Sequence, residues 1–321
     1  MYIQLAYDRP LPVATYGGTE RVIWTLAECL HQLGHRVHLL APAGSRWPHG
    51  PLTTYDPTQP LREQTAPDVD LLHCFFPFQD QPEPELPYLV SIGGNASPGE
   101  VFPLNTSFRS ANHARRHGAE AFVYNGLDFN AYGQVDFSIR PQHLVFLAKA
   151  RWNVKNLAGA RRVARKAQLP LAVLGGRGWD PLGRIRYYGM QGGERKLELL
   201  QQGMGLVFPV RWPEPFGLAV IEAMYYGLPV FATPFGSLPE LVPPACGHLS
   251  GSISDLATAA RDWQRYNRRE IHEWVCSKFS AQHMTEGYLK LYEKVLAGKP
   301  LNRRPPLSPL NSKFRRYPLK P

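Results

Sequence analysis

Cysteine is scarce: Cys29, Cys74, Cys246 and Cys276 are the only four in 321 residues, and no two form a Cys-x-x-Cys pair. That excludes a disulfide framework and a thiolate zinc site, and it fits a reducing compartment. Long apolar runs are missing too, and none approaches the ~18 residues a membrane-crossing helix needs. The opening Met1-Tyr-Ile-Gln-Leu-Ala-Tyr-Asp8 has no basic segment followed by a long apolar stretch, so no secretion signal is expected. The sequons Asn95-Ala-Ser97 and Asn105-Thr-Ser107 then carry no meaning. Acid is absent after Gly298. Of a net charge of +10, seven positive charges lie there (Lys299, Arg303, Arg304, Lys313, Arg315, Arg316 and Lys320), leaving residues 1–298 at +3. Basicity is thus a property of the tail, whereas a nucleic-acid-binding domain concentrates it on a folded face, so nucleic acid is not expected as a partner. With six prolines and no acid, residues 299–321 are expected to be disordered.

What is present is globular. Hydrophobic residues make up 44% and charged residues 19%, which excludes disordered and coiled-coil classes for the bulk of the chain. The length suggests two domains, at about 100–200 residues each. Strand and helix signals alternate, which points to an α/β class with parallel strands. Ile3–Tyr7 reads as a buried strand, followed by a loop ending in Tyr16-Gly17-Gly18-Thr19. Val22, Ile23, Leu26, Ala27, Leu30 and Leu33 then recur at helical spacing, with Thr19 as N-cap and Gly34 as C-cap. Strands are expected at 36–41, 70–74 and 88–92. Residues 130–142 break the pattern and read as a linker. A second block follows, with strands at 144–148, 171–174, 205–209 and 229–233 and helices at 157–167 and 216–226. The stretch 254–296 is helical in pieces. The loop after the first strand contains no Gly-x-Gly-x-x-Gly, which excludes a dinucleotide-binding dehydrogenase. Asp68-Val-Asp70 starts a strand instead of following one, so no metal role is expected for it.

The most informative segment is Phe208-Pro-Val-Arg-Trp-Pro-Glu214-Pro-Phe-Gly-Leu-Ala-Val-Ile-Glu222. Pro209, Pro213 and Pro215 forbid a helix before position 215, so Glu214 stands on a loop just past a strand. A helix starting near Phe216-Gly217 would leave its first N–H groups free as an anion site. Glu222 lies eight residues after Glu214 in an apolar helix, where a buried acid needs strongly polar partners. Upstream, Lys149-Ala-Arg151-Trp-Asn-Val-Lys155 follows a strand and leads into a helix. Its cations would neutralise charge on a departing diphosphate. Gly17 and Gly18 would let backbone approach an anion at a helix N-terminus.

Glu214-Pro-Phe-Gly-Leu-x-x-x-Glu222-Ala-Met, then Gly227-Leu-Pro-Val, then Thr233-Pro-Phe-Gly236-Ser-Leu-Pro-Glu240, resembles the E-x7-E signature of family 4 glycosyltransferases. The resemblance spans roughly residues 1–298, weakly over 40–120 and strongly over 140–300. It implies the GT-B fold, with two Rossmann-like domains facing a central cleft, and a retaining, metal-independent transfer from a nucleotide-sugar donor. The expected organisation is an acceptor-side domain at 1–135, a donor domain at 143–270 and terminal helices at 271–298 that cross back to the first domain. A basic tail at 299–321 completes the chain. By resemblance, Glu214 contacts the donor sugar, Phe216, Gly217 and Leu218 offer backbone N–H groups to it, and Glu222 holds the ribose hydroxyls. Lys155 is the catalytic cation, with either Lys149 or Arg151 as its partner, since Ala148-Lys149 stands where the family has Gly-Arg. Gly17 and Gly18, by the same resemblance, lie against the donor phosphates and the acceptor.

The family's Thr-x-His-Gly is not matched. Gly93 occupies the histidine position in Val90-Ser91-Ile92-Gly93-Gly94-Asn95, which turns attention to Asn95, Ser110 and His113 as sugar or acceptor contacts. No cofactor is expected beyond the nucleotide sugar, whose base is undetermined. The acceptor is expected to be a glycan or lipid-linked hydroxyl of the cell envelope. The site would be cytoplasmic, with the basic tail reaching an anionic membrane. The competing readings are a non-catalytic sugar-nucleotide-binding protein and a nucleotide-sugar 2-epimerase.

Overall fold

The computed structural model describes residues 1–13, 17–78, 83–309 and 317–320. In chain order these form β1 (Tyr2–Ala6), α1 (Gly18–Gln32), β2 (Arg36–Ala41), β3 (Leu52–Thr54), β4 (Leu71–Cys74), β5 (Tyr88–Ser91), β6 (Thr106–Ser107) and α2 (Ala111–Arg116). There follow β7 (His143–Leu147), α3 (Leu157–Ala167), β8 (Leu171–Leu174), β9 (Ile185–Gly189), α4 (Gly193–Gln201), β10 (Gly203–Phe208), α5 (Leu218–Tyr225) and β11 (Val230–Ala232). The last elements are α6 (Leu238–Leu241), β12 (Gly247–Leu249), α7 (Ile253–Arg261), α8 (Arg268–Lys278) and α9 (Ala281–Leu296).

The chain divides into two compact units. Unit 1 holds the described residues of 1–127 and the chain from Ala281 through the first part of the tail, and unit 2 holds 128–280 and the last described residues. Each has one six-stranded parallel sheet, in the order β3-β2-β1-β4-β5-β6 in unit 1 and β12-β11-β10-β7-β8-β9 in unit 2. Strands such as β4, with the pattern Leu-Leu-His-Cys, are buried on both faces, as expected of a parallel sheet covered by helices. The sheet order reverses between β1 and β4 in unit 1 and between β7 and β10 in unit 2. At such a reversal the chains leaving two adjacent strands diverge, and the crevice beyond their carboxyl ends is where open α/β sheets take ligands.

Three expectations about local structure need correction. The α1 N-cap is Gly17, with no side-chain cap, so Thr19 lies inside the first turn; Gly34, at φ 82°, follows the C-cap Leu33. Phe216 and Gly217 precede α5, because Gly217 takes φ 110°, a left-handed value that a helix does not tolerate. The 130–142 segment is no plain linker. Its start, Phe129–Tyr132, is a 3-10 turn held to α5: Tyr225 Oη donates to Gly133 O at 2.7 Å, and Phe129 stacks on Tyr225 at 4.9 Å. Asp70, considered above for a metal, accepts the Tyr2 N–H at 2.7 Å and is tied to the β1 edge.

The largest correction is the tail, since residues 299–309 pack on unit 1. Leu301 and Asn302 are buried. The Asn302 carboxamide accepts from the N–H groups of Glu120 and Ala121 at 2.8 and 3.2 Å and donates to the carbonyls of Leu104 and Thr106 at 2.8 and 2.7 Å. Prolines do not prevent this, because extended chain needs only alternate donors. Pro306 accepts from Phe102 N, while Leu307 N and Ser308 N donate to His117 O and Glu100 O. Asn302→Ala leaves several buried backbone groups unpaired, so it is expected to destabilise the protein by about 1–3 kcal/mol, read from the urea midpoint. Lys313, Arg315 and Arg316 lie outside the described residues.

Unit 1 also carries buried histidines. His73 is hydrogen-bonded at both ring nitrogens, to Tyr292 Oη at 2.7 Å and Ser91 Oγ at 2.8 Å. Burial, reinforced by the Arg109 charge, holds its pKa well below the usual value, and burial with Arg116 and other nearby cations does the same for His113. Folded, both are neutral near pH 7; unfolded, they titrate normally. Their contribution is therefore complete above about pH 6.5 and lost as the pH falls below it, at up to about 1.4 kcal/mol per pH unit per histidine. Urea melts between pH 7.5 and 5 should show this slope reduced in His73→Gln.

Candidate active site

The site in unit 2 is built where the sheet order reverses. β10 runs into Pro209-Val-Arg-Trp-Pro-Glu214-Pro-Phe-Gly217, whose prolines keep it out of helical conformation until α5 begins. Its neighbour β7 runs into a 3-10 turn, Asn153–Lys155, ended by Asn156 at φ 57°, ψ 56°. Asn156 serves two elements at once. Its Oδ1 caps α3 by accepting Gly159 N at 3.0 Å, and its Nδ2 donates to Pro209 O at 2.9 Å. Arg211 N adds a bond to Val154 O at 2.7 Å. The two strand-end loops are therefore tied together through their backbones.

This brings Lys155 onto Glu214. Its Nζ donates to Oε1 and Oε2 at 2.8 and 2.7 Å, and the Trp212 indole N–H donates to Oε2 at 2.6 Å. Both side chains are buried, and the ammonium lies 4.9 to 5.4 Å from the ring centres of Trp212, Phe208 and Trp152. A buried charge pair this well bonded resists rearrangement, because taking either partner away leaves the other desolvated. The Glu214 backbone is fixed as well. Ser237 N donates to its carbonyl at 2.9 Å, and Gly236, at φ 70°, approaches so closely that an added Cβ would lie 2.2 Å from Glu214 O. Ser237 Oγ donates to the Phe216 carbonyl. The Thr233-Pro-Phe-Gly236-Ser run thus braces the glutamate loop from behind.

Glu222, near the middle of α5, has its own lysine. Its Oε1 accepts from Lys196 Nζ at 2.8 Å and from Tyr132 Oη at 2.5 Å. Lys196 lies on α4 with its ammonium 5.1 Å from the Tyr132 ring centre. Tyr226 Oη holds Tyr132 by donating to its carbonyl.

The structure brings Lys155 onto Glu214 beyond the adjoining ends of β7 and β10, with Phe216 and Gly217 on the same loop and Leu218 and Glu222 on the α5 that follows it. Lys149 and Arg151 flank Lys155 and are exposed. Gly17, Gly18, Asn95, Ser110 and His113 belong to unit 1. There Asn95 accepts from Arg116 at 2.8 Å, Ser110 caps α2 by accepting His113 N at 3.1 Å, and His113 is fully buried. Sequence reasoning missed Trp212, Lys196, Tyr132 and Asn156. Trp212 was legible as an aromatic two residues from the key glutamate. Lys196 sits in the charged run Glu194-Arg-Lys196 and looks like any solvated helix face. Tyr132 was hidden by reading its segment as a linker.

Residues 181–258 match the model of the family described as glycosyl transferases group 1, a stretch that contains Lys196, Glu214, Glu222 and Gly236. A curated protein of Klebsiella pneumoniae, the uncharacterized 41.2 kDa protein in cps region, is 28% identical over 119 residues, which is 34% of this chain. That match spans about a third, 32%, of the relative's length. Among solved structures, the chain is similar to AviGT4, a glycosyltransferase involved in avilamycin A biosynthesis, at 23% identity and a TM-score of 0.74, covering 94% of this chain and 100% of that one. It is also similar to HepE of Anabaena in complex with UDP-glucose, at 17% identity and a TM-score of 0.67, covering 92% and 100%. Two parallel six-stranded sheets matched over nine-tenths of the chain by solved glycosyltransferases give this protein the GT-B fold, and its residues 181–258 carry the group 1 glycosyl transferase pattern.

Proposed function

We propose that the protein is a retaining, metal-independent glycosyltransferase of the family 4 type that moves a sugar, a hexose or close relative, from a nucleoside-diphosphate sugar to an acceptor hydroxyl. The observation that carries this reading is the buried Lys155–Glu214 pair at the adjoining ends of β7 and β10, followed on α5 by a second buried acid, Glu222. In this reading Lys155, with Lys149 or Arg151, meets the negative charge that grows on the departing diphosphate, where a fixed cation lowers the barrier most. Glu214 orients Lys155 and faces the sugar. Glu222 receives the ribose hydroxyls, and the N–H groups at Phe216–Leu218 face the sugar and phosphates. The relative's place in a cps region supports an acceptor in a cell-envelope glycan, reached at the cytoplasmic face of the membrane.

The test is a thermal-shift panel of UDP, GDP, ADP and their sugars. A ligand at about 100 times its Kd stabilises the folded state by about 2.7 kcal/mol, so one nucleotide family should raise Tm clearly above the others. No shift with any of them would overturn the reading. Gly93 in place of the family histidine favours a second reading, a sugar-nucleotide-binding protein without turnover. Donor consumption with and without acceptor extract separates the two, and an epimerase would consume donor with no acceptor at all.

A further inference from the structure

Unit 1 holds a buried cation that no carboxylate among the described residues neutralises. Arg109 follows β6 and is 2% exposed. Its Nη1 donates to Tyr288 Oη, and its guanidinium lies 5.6 Å from the centre of the Phe75 ring. Its Nη2 is buried without a hydrogen-bond partner, and no carboxylate among the described residues forms an ion pair with it. The usual companions of a buried charge are a counter-ion and a full set of hydrogen bonds.

The surroundings keep that charge single. His73 and His113, on either side, are held neutral by burial and by the guanidinium itself. Glu20 is engaged elsewhere. It folds back toward Gly17 and pairs with Arg9 at 3.7 Å.

The guanidinium lies beside Gly93. A Cβ added to Gly93 would lie 2.9 Å from Thr19 Oγ1 and 3.7 Å from both Arg109 Nε and Nη2. Gly93 and Thr19 are half-buried, and Gly18 and Gly94 are exposed. Thr19 stands in the first turn of the 15-residue α1, which no side chain caps at Gly17. A cation with an unused donor, a hydroxyl and an uncapped helix start therefore meet around Gly93, where a larger residue would crowd the Thr19 hydroxyl.

We propose that Arg109 and Thr19 form an anion-binding site in unit 1 that selects an acceptor bearing a carboxylate or phosphate, such as a sugar acid or sugar phosphate. The group on the acceptor supplies the countercharge the fold omits. The proposal rests on the reading of unit 2 as the donor-binding half, and it names the acceptor class.

The test is calorimetric titration with glucuronate, glucose and inorganic phosphate, with no donor present. The wild-type protein is expected to bind glucuronate and phosphate and not glucose. Lys155→Met should bind both anions as the wild type does, which excludes the Lys155 end of the donor site in unit 2 as their location. Arg109→Met should weaken both by about tenfold or more, the usual cost of losing a charge-assisted bond, and Arg109→Lys should retain part of the affinity. Should Arg109→Met fail to fold, Gly93→Ala leaves the arginine in place, crowds the Thr19 hydroxyl and should give the same loss. Unchanged anion binding in Arg109→Met or, where that variant does not fold, in Gly93→Ala overturns the proposal. So do a loss confined to Lys155→Met and the absence of anion binding in the wild type. Because the titrations need neither donor nor turnover, such a failure leaves the transferase reading standing, and a silent nucleotide panel would not touch the anion result.

Discussion

Replacing Lys155 by alanine is expected to lower kcat by about a hundred- to a thousandfold, the loss seen when a fixed charge-stabilising donor is removed. The same change should also weaken the fold by about 3–5 kcal/mol, because Glu214 would stay buried with only the Trp212 indole to satisfy it. The two effects are separable. In the double variant Lys155→Met, Glu214→Gln, the charge pair is replaced by neutral groups of similar volume, so the urea midpoint should return most of the way to that of the parent. Turnover should not return, since the cation is still missing. A kcat that recovers together with stability would show that Lys155 holds the loop and takes no part in the chemistry. A single variant with unaltered kcat would remove Lys155 from the site altogether.

Replacing Glu222 by alanine should act mainly on donor binding. The carboxylate sits on α5, not on the Lys155 loop, and its bonds to Lys196 and Tyr132 hold it in place. Losing charged hydrogen bonds to a ribose should raise the donor KM about tenfold or more, with kcat changed far less. Stability should fall as well, because Lys196 would be left buried without its acid. Glu222→Gln keeps an acceptor for Tyr132 and should recover part of both losses. Tyr132→Phe removes one neutral donor and should cost about 1 kcal/mol. Steady-state kinetics at saturating acceptor, set beside urea melts, read the split. A fall in kcat at constant KM would move Glu222 from donor binding to the reacting centre.

The sequence was most legible where backbone chemistry constrains it. Three prolines around Glu214 kept that residue off a helix, and the apolar run after Gly217 marked α5, so the loop-then-helix site was readable without coordinates. Strands buried on both faces, such as β4, stood out as short apolar runs. Short edge elements did not. β3 and β6 are three and two residues long, too short for any periodicity, and β9 mixes Arg and Tyr because one face is open. Partners drawn from distant segments were also beyond reach, since Lys196 and Tyr132 become special only when α4 and the 129–132 turn fold onto α5. The tail misled for a simpler reason. Composition reports how much apolar surface a segment can bury, and Asn302 anchors its segment through four backbone hydrogen bonds instead.

Each acid of the Glu214/Glu222 pair already has a lysine of its own, and this bears on how the protein behaves with nothing bound. Unopposed like charges would push one another apart, but here Lys155 answers Glu214 and Lys196 answers Glu222 from within the fold. The empty form should therefore be a sound, storable protein, and on the proposed function an arriving pyrophosphate would have to win Lys155 from Glu214. That contest would hold down the affinity for product nucleotide, which would help a catalyst that has to let its product go.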